Sequence, residues 1–212
     1  MSGYVITYFP VRGRAEAMRL LLADQGAEWK EEVVSFQKWF AGEVDLKKTA
    51  VFGQLPQFKD GDFVLYQSNT ILRYLGRKYD LYGSNIKESA LIDMLNDGVE
   101  DLRQKYSGVV FYKREPGPEK YIEELSNHLG PFERLLSQNS KGSGFIAGNK
   151  ISYADYSLLD VLQNHQHLAS DCLKSFPFLS AYVEKMTSRP KLKTYLESDA
   201  RKNCPIVPKD FK

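Results

Sequence analysis

The stretch from Leu55-Pro56 to Tyr66-Gln67-Ser68 restricts this chain more than any other. Phe63 to Tyr66 reads as a short strand, and Asp60-Gly61 is the turn that joins it to a preceding run holding Phe58. Leu55-Pro56 opens this hairpin. An X-Pro bond beside a strand is a candidate cis peptide, which would leave the Leu55 backbone pointing outward. Ser68 stands where a helix beginning at Asn69 needs its N-cap. The end of such a helix offers backbone N–H groups and the positive end of a dipole, which suit a carboxylate. The combination can hold a small extended peptide by its main chain and a free carboxylate.

Around this stretch the first 79 residues alternate strand and helix in the order β-α-β-α-β-β-α. Tyr4 to Phe9 is a β-rich run. Arg14 to Ala23 repeats apolar residues at Met18, Leu21 and Leu22, with Gly26 as the stop. Glu31 to Val34 reads as a second strand, followed by an irregular polar region holding Trp39 and Lys47. Ile71, Leu72 and Leu75 then mark the inner face of a helix. From about Ile86 the pattern is purely helical. Leu91, Met94, Leu95, Val99, Leu102, Tyr106 and Val109 keep helical spacing along one long helix. Ile122, Leu125, Leu129, Phe132 and Leu136 define a second, with a kink expected at Pro131. Ser152 and Asp155 form a capping box, flanked by Ile151 and Tyr156 as a hydrophobic staple, so a helix is expected from Tyr153 to about His167. The expected organisation is therefore an α/β domain over 1–79, a linker over 80–85, and an all-α domain over 86–212.

The totals narrow the function classes. With 212 residues and a formal net charge of +2, the chain has no run of Lys or Arg that would imply nucleic acid or an anionic membrane as partner. No apolar stretch approaches a membrane span, and no charged-then-apolar leader opens the sequence. Two cysteines, Cys172 and Cys204, cannot build a disulfide framework or a Cys–His metal cluster. His128, His165 and His167 share no ligand spacing and read as surface or core residues. No metal is expected, and a reducing, cytoplasmic setting is.

A β-α-β-α-β-β-α unit with a proline before its third strand resembles the thioredoxin fold. In thioredoxins a Cys-x-x-Cys follows the first strand, whereas here that place reads Tyr8-Phe9-Pro10-Val11-Arg12-Gly13-Arg14. No cysteine lies in the first domain, so dithiol chemistry is excluded there. A tyrosine after the first strand, Gln54-Leu55-Pro56, Gln67-Ser68 and an all-helical second domain together resemble a cytosolic glutathione transferase. Tyr8 to Gly13, Leu21 to Gly26, Gly53 to Pro56, Leu65 to Leu72 and Asn96 to Arg103 are similar to the pi class in particular.

The resemblance implies a homodimer that joins glutathione, a co-substrate rather than a cofactor, to hydrophobic electrophiles in detoxification. It implies that Tyr8 donates its hydroxyl proton to the glutathione sulfur and that Leu55, beside Pro56, pairs with the cysteinyl backbone. Gln67 and Ser68 would hold the γ-glutamyl carboxylate, with Gln54 lining the peptide. Trp39 and Lys47, or the adjoining Lys48, would hold the glycyl carboxylate. Asp101 of the partner subunit would face the γ-glutamyl ammonium. Arg14 would add positive potential near the sulfur or order its surroundings. The electrophile pocket would take Tyr8, Phe9, Val11, Arg14, Phe36, Ser107 and Phe111. Phe52 would be an aromatic key inserted into the partner subunit.

The sequence also departs from the pi pattern. Ala50 replaces a reactive cysteine, the loop between Trp39 and Lys47 is about two residues longer, Phe111 stands where many members carry Tyr, and Ser107 is smaller and more polar than usual. A rival reading on the same fold is a ligandin-type carrier or structural protein without turnover. The full set of thiol-site residues favours the enzyme.

Overall fold

The structure is a computed structural model and describes residues 3–115 and 117–208; residues 1 and 212, the outer limits of the expected domains, lie outside it. The chain forms two compact units, one built from residues up to Leu75 together with Pro190 onward, the other from Gly76–Arg189.

The first unit is centred on a four-stranded mixed sheet in the order β2-β1-β3-β4. Strand β1 (Tyr4–Tyr8) runs parallel to β2 (Trp29–Val33) and antiparallel to β3 (Gln57–Asp60), which pairs in turn with β4 (Phe63–Tyr66). Gly61 takes φ of 61°, which a two-residue hairpin turn between Asp60 and Phe63 demands and glycine adopts without cost. Strand β2 starts two residues earlier than its apolar signal implied, because its Trp29–Val33 register is set by pairing with β1 and its side chains are mostly exposed. After a 3-10 turn at Gly13–Ala15, helix α1 (Glu16–Gln25) buries Met18, Leu20, Leu21 and Leu22 and ends at Gly26, which sits in the left-handed region at φ 71°.

The expected irregular region is in fact two short helices, α2 (Phe36–Phe40) and α3 (Asp45–Thr49). Five residues are too few to show a period, so tertiary contacts rather than patterning define them. Helix α4 (Ser68–Lys78) packs Ile71, Leu72 and Leu75 inward with Phe58 and Ile6 of the sheet in the same core. Helices α10 (Pro190–Glu197) and α11 (Asp199–Asn203) complete this unit. Arg201 forms an ion pair with fully buried Glu16, and Arg12 Nε donates to the Cys204 carbonyl at 2.8 Å. Arg19 binds both oxygens of Glu31 at 2.8 and 3.0 Å and also donates to the Val11 and Arg12 carbonyls at 3.2 Å. Such bidentate, charge-assisted contacts hold the loop after β1 against α1 and the carboxyl-terminal segment.

The second unit is built from helices. Helix α5 (Ile86–Val110) packs along α8 (Tyr153–Leu168), and Arg103 pairs with buried Asp160 at 2.5 Å while Ser157 donates to Asn96 at 2.8 Å. Of the apolar residues expected to line α5, Val99, Leu102, Tyr106 and Val109 are buried, whereas Leu91 and Met94 are more than half exposed. The inner face of that end is set by Ile92 and Asn96 instead. The helical segment after it is divided into α6 (Gly117–Glu123) and α7 (Leu125–Gln138). The break falls at Glu124, whose ψ of 10° leaves the helical region, and Pro131 lies within α7. Glu133 of α7 accepts the Phe178 and Leu179 N–H groups at 2.9 and 2.8 Å, capping α9 (Pro177–Thr187). Asp155 is fully buried and accepts from Ile146 N–H, Ser152 N–H, Ser152 Oγ and Tyr182 Oη, so the expected capping box also ties two further segments to α8.

Candidate functional site

Tyr8 closes β1 with a ring 7 % exposed. The Arg14 backbone N–H donates to its Oη at 3.0 Å, which is possible because the chain bends sharply at Gly13. Gly13 holds φ of 43°, and a Cβ there would lie 2.6 Å from Tyr8 Oη. Only glycine fits this close approach. An amide proton on the phenolic oxygen draws electron density from it, making its O–H a stronger donor to an anion in front of it. Sequence reasoning did not single out Gly13; the available signal was a glycine in the turn directly after a strand that ends in tyrosine.

The Leu55-Pro56 peptide is cis, as the sequence led one to expect, with Pro56 buried and Leu55 half-buried at the start of β3. At the far end of the hairpin the helix begins one residue earlier than expected. Ile71 N–H donates to the Gln67 carbonyl at 3.0 Å, so Gln67 is the cap residue and Ser68 the first residue of α4. Gln67 reaches this position with φ of 71°, an uncommon conformation for a residue with a side chain. Its Nε2 donates to Gln54 Oε1 at 3.1 Å, which brings both glutamines together at the exposed surface. Ser68 follows them into the first turn, whose N–H groups have no partner within the helix itself.

Trp39 and Lys47 are also brought together. Trp39 is 4 % exposed, and Lys47 Nζ donates to its carbonyl at 3.0 Å while lying 6.0 Å from its ring centre. Lys48 points elsewhere, 3.8 Å from Asp45 on the exposed face of α3. Phe9 and Phe36 stack at 4.4 Å, Phe9 lies 5.3 Å from the Tyr8 ring, and Val11 is buried. Arg14 is half-buried beside the Tyr8 hydroxyl. Phe52 is 62 % exposed, next to Val51 at 70 %. In the second unit, Asp101 is exposed on α5, Ser107 is half-buried nearly two turns later, and Phe111 caps the helix with its ring edge-on to Tyr106 at 6.4 Å. Among the described residues no cluster of His, Cys, Asp or Glu could hold a metal, and no helix is long and apolar enough to cross a membrane. Cys172 and Cys204 are unpaired thiols.

A thioredoxin-like sheet with tyrosine where a redox cysteine would stand, joined to an all-helical unit, is the architecture of a glutathione transferase. The sequence profile described as "Glutathione S-transferase, N-terminal domain" matches residues 4–77, and that of "Glutathione S-transferase, C-terminal domain" matches residues 100–199. Glutathione S-transferase P 1 of Xenopus laevis is 60% identical over 212 residues, covering 100% of both chains. Glutathione S-transferase P of Bos taurus is 58% identical over 206 residues, 97% of each chain. The solved pi-class glutathione S-transferase of Onchocerca volvulus superposes with a TM-score of 0.89 at 40% identity over 98% of each chain. The chain belongs to the glutathione S-transferase family. Within it, the full-length likeness is to the pi class.

Proposed function

We propose that this pi-class protein joins the thiolate of reduced glutathione to hydrophobic electrophiles, with Tyr8 as the catalytic residue. The observation that carries the reading is the Tyr8 hydroxyl, held by the Arg14 N–H at 3.0 Å over a glycine that alone leaves room for it. A free thiol with pKa near 8.5 is only about 3% thiolate at pH 7. One charge-assisted hydrogen bond contributes roughly 1.5–3 kcal/mol, which lowers that pKa by about one to two units and makes the nucleophile a major species. Tyrosine suits the role because its own pKa near 10 keeps it a donor at neutral pH.

The rest of the peptide is held by the surrounding groups. Leu55, beside Pro56, pairs with the cysteinyl main chain. Gln67 and the first-turn residue Ser68 take the γ-glutamyl carboxylate, with Gln54 alongside. Trp39 and Lys47 take the glycyl carboxylate; the placement of Lys47 on Trp39, and of Lys48 on Asp45, favours the former lysine. Arg14 adds positive charge near the sulfur. Phe9, Val11 and Phe36 offer an apolar wall to the electrophile, and Ser107 and Phe111 are assigned to it from the family pattern. The enzyme works as a cytoplasmic homodimer, in which Phe52 is the key and Asp101 of the partner subunit faces the γ-glutamyl ammonium. Glutathione is consumed as co-substrate, and no cofactor is needed.

The test is turnover of chlorodinitrobenzene with glutathione, together with the ultraviolet absorbance of the bound thiolate against pH in wild type and Tyr8→Phe. The variant is expected to bind glutathione nearly as well, with the bound thiol pKa raised by about one to two units. An unchanged titration curve removes Tyr8 from this role.

A further inference from the structure

The guanidinium of Arg19, buried on α1, is divided between two tasks. Nε and Nη2 bind the two oxygens of Glu31 at 2.8 and 3.0 Å, which fixes the orientation of the planar fork. Nη1 is left for Glu16 Oε2 at 3.4 Å and for the main-chain carbonyls of Val11 and Arg12, each at 3.2 Å. Ion pairing with Glu16 and Glu31 does not account for the two carbonyls. They belong to consecutive residues directly before Gly13. The Arg12 carbonyl also accepts from the Ala15 N–H at 3.2 Å, while the Arg12 N–H donates to the Pro205 carbonyl at 2.8 Å. Arg12 is thus held at both of its main-chain groups. Gly13 follows as the freest joint of the turn, at φ 43°, and the next N–H is that of Arg14, 3.0 Å from Tyr8 Oη. With glycine at the joint, the Arg14 N–H keeps its aim only if the peptide planes before it are fixed.

We propose that Arg19 is a positioning residue for the thiolate site: by holding the Val11 and Arg12 carbonyls it keeps the Arg14 N–H on the Tyr8 hydroxyl, and so sets how strongly that hydroxyl stabilises the thiolate. This rests on the assignment of the thiolate to Tyr8. A hydrogen bond weakens steeply once its N–H swings out of line, and a phenol that loses such a donor becomes a weaker donor itself. Arg19 acts through the main chain alone and leaves the groups assigned to the peptide of glutathione untouched. Lysine cannot replace it. An ammonium keeps the charge beside Glu16 and Glu31 but lacks the rigid fork that serves a carboxylate and two carbonyls at once.

The experiment follows bound-thiolate absorbance against pH, and kcat/KM for chlorodinitrobenzene at pH 6 and pH 9, in wild type, Arg19→Lys, Glu31→Gln and Tyr195→Phe. Arg19→Lys is expected to raise the bound-thiol pKa by about half a unit to one unit, part of the effect of losing the hydroxyl altogether. Its kcat/KM should then fall roughly three- to tenfold at pH 6 and return to wild type by pH 9, where the thiol ionises without help. KM for glutathione should stay within about twofold, since the contacts to the peptide are unchanged. Glu31→Gln leaves Arg19 in place but loosens its fork, so it should move the titration the same way by less; it decides the question if Arg19→Lys does not fold. Tyr195→Phe is the control. Its hydroxyl donates to Glu16 at 3.4 Å, so it loosens the same buried cluster without touching the loop, and its titration should match wild type. An unmoved titration in Arg19→Lys (or in Glu31→Gln if that variant alone folds), a rate loss equal at both pH values, or an equal shift in Tyr195→Phe would overturn the role of Arg19. A Tyr8→Phe titration identical to wild type would instead overturn the assignment of the thiolate to Tyr8, and this inference with it.

Discussion

At the scale of single residues, the distance between Gly13 and Tyr8 makes a sharper demand than any other at the site. A methyl group at position 13 would have to occupy space 2.6 Å from the Tyr8 hydroxyl, and φ of 43° is itself unfavourable for any residue with a Cβ by about 1–2 kcal/mol. Gly13→Ala should therefore turn the hydroxyl away from the Arg14 N–H. The expected outcome is a bound-thiol titration that moves in the same direction as in Tyr8→Phe, by a comparable one to two units, although no polar group has been removed. Thiolate absorbance against pH checks this; a normal titration in Gly13→Ala would show that the tyrosine tolerates the displacement. Gln67 makes a related demand, since its left-handed conformation and its bond to Gln54 aim two amides outward at the start of α4.

Among elements, α8 is the most strongly specified and carries a titrating group at its far end. His165 is buried against α6, its Nδ1 donating to the Val161 carbonyl at 2.7 Å and its Nε2 accepting from Tyr121 Oη at 2.8 Å. Burial pushes its pKa down to about 4 from an ordinary 6.5. The folded protein therefore keeps this imidazole neutral where the unfolded chain binds a proton. Its contribution to stability is complete above pH 6.5 and is lost as pH falls from 6.5 toward 4. Each pH unit in that window weakens folding by about 1.4 kcal/mol from this one group. Denaturant midpoints measured from pH 7 to 4.5 should fall more steeply in wild type than in His165→Gln; parallel curves would mean that His165 protonates in place. Much of this element was legible in advance: the capping box at Ser152 and Asp155 needs only local spacing, and so do the Gly26 stop and the Asp60-Gly61 turn. What was not legible depends on distant partners. Helices α2 and α3 are too short to carry a period, the break at Glu124 competes with a more conspicuous proline, and the exposure of Leu91 and Met94 cannot be read from a stripe that is apolar throughout. For the site, the sequence named the groups that come together, Gln54 with Gln67 and Trp39 with Lys47, but the packing of Gly13 against Tyr8 leaves no spacing to find.

For the whole molecule, the exposed aromatic at Phe52 is a feature in need of a partner. A phenyl ring 62 % exposed beside an equally open Val51 is a surface that association would bury. In the proposed homodimer Phe52 is the anchor, and a buried aromatic anchor at an interface contributes about 2 kcal/mol or more. Phe52→Ser should raise the dimer dissociation constant at least thirtyfold by that figure and lower activity in step, because Asp101 of the partner subunit is withdrawn with it. Sedimentation velocity at low micromolar concentration is the check, and an undisturbed dimer would end the role of this residue.

The first unit is not a continuous stretch of chain: the residues from Pro190 onward return to it, through the Arg201–Glu16 ion pair and the bond from Arg12 to the Cys204 carbonyl. Synthesis on the ribosome runs in one direction, at roughly 5–20 residues per second. The unit that leaves the exit tunnel first is thus the last to be finished. Until α10 and α11 emerge, buried Glu16 lacks its Arg201 counter-charge and the loop bearing Tyr8 to Arg14 lacks one of its anchors. The helical unit, Gly76–Arg189, is contiguous and is made whole in the interval. A nascent chain of this protein therefore completes its second unit before its first, and the loop bearing Tyr8 to Arg14 gains its carboxyl-terminal anchor only at the close of translation.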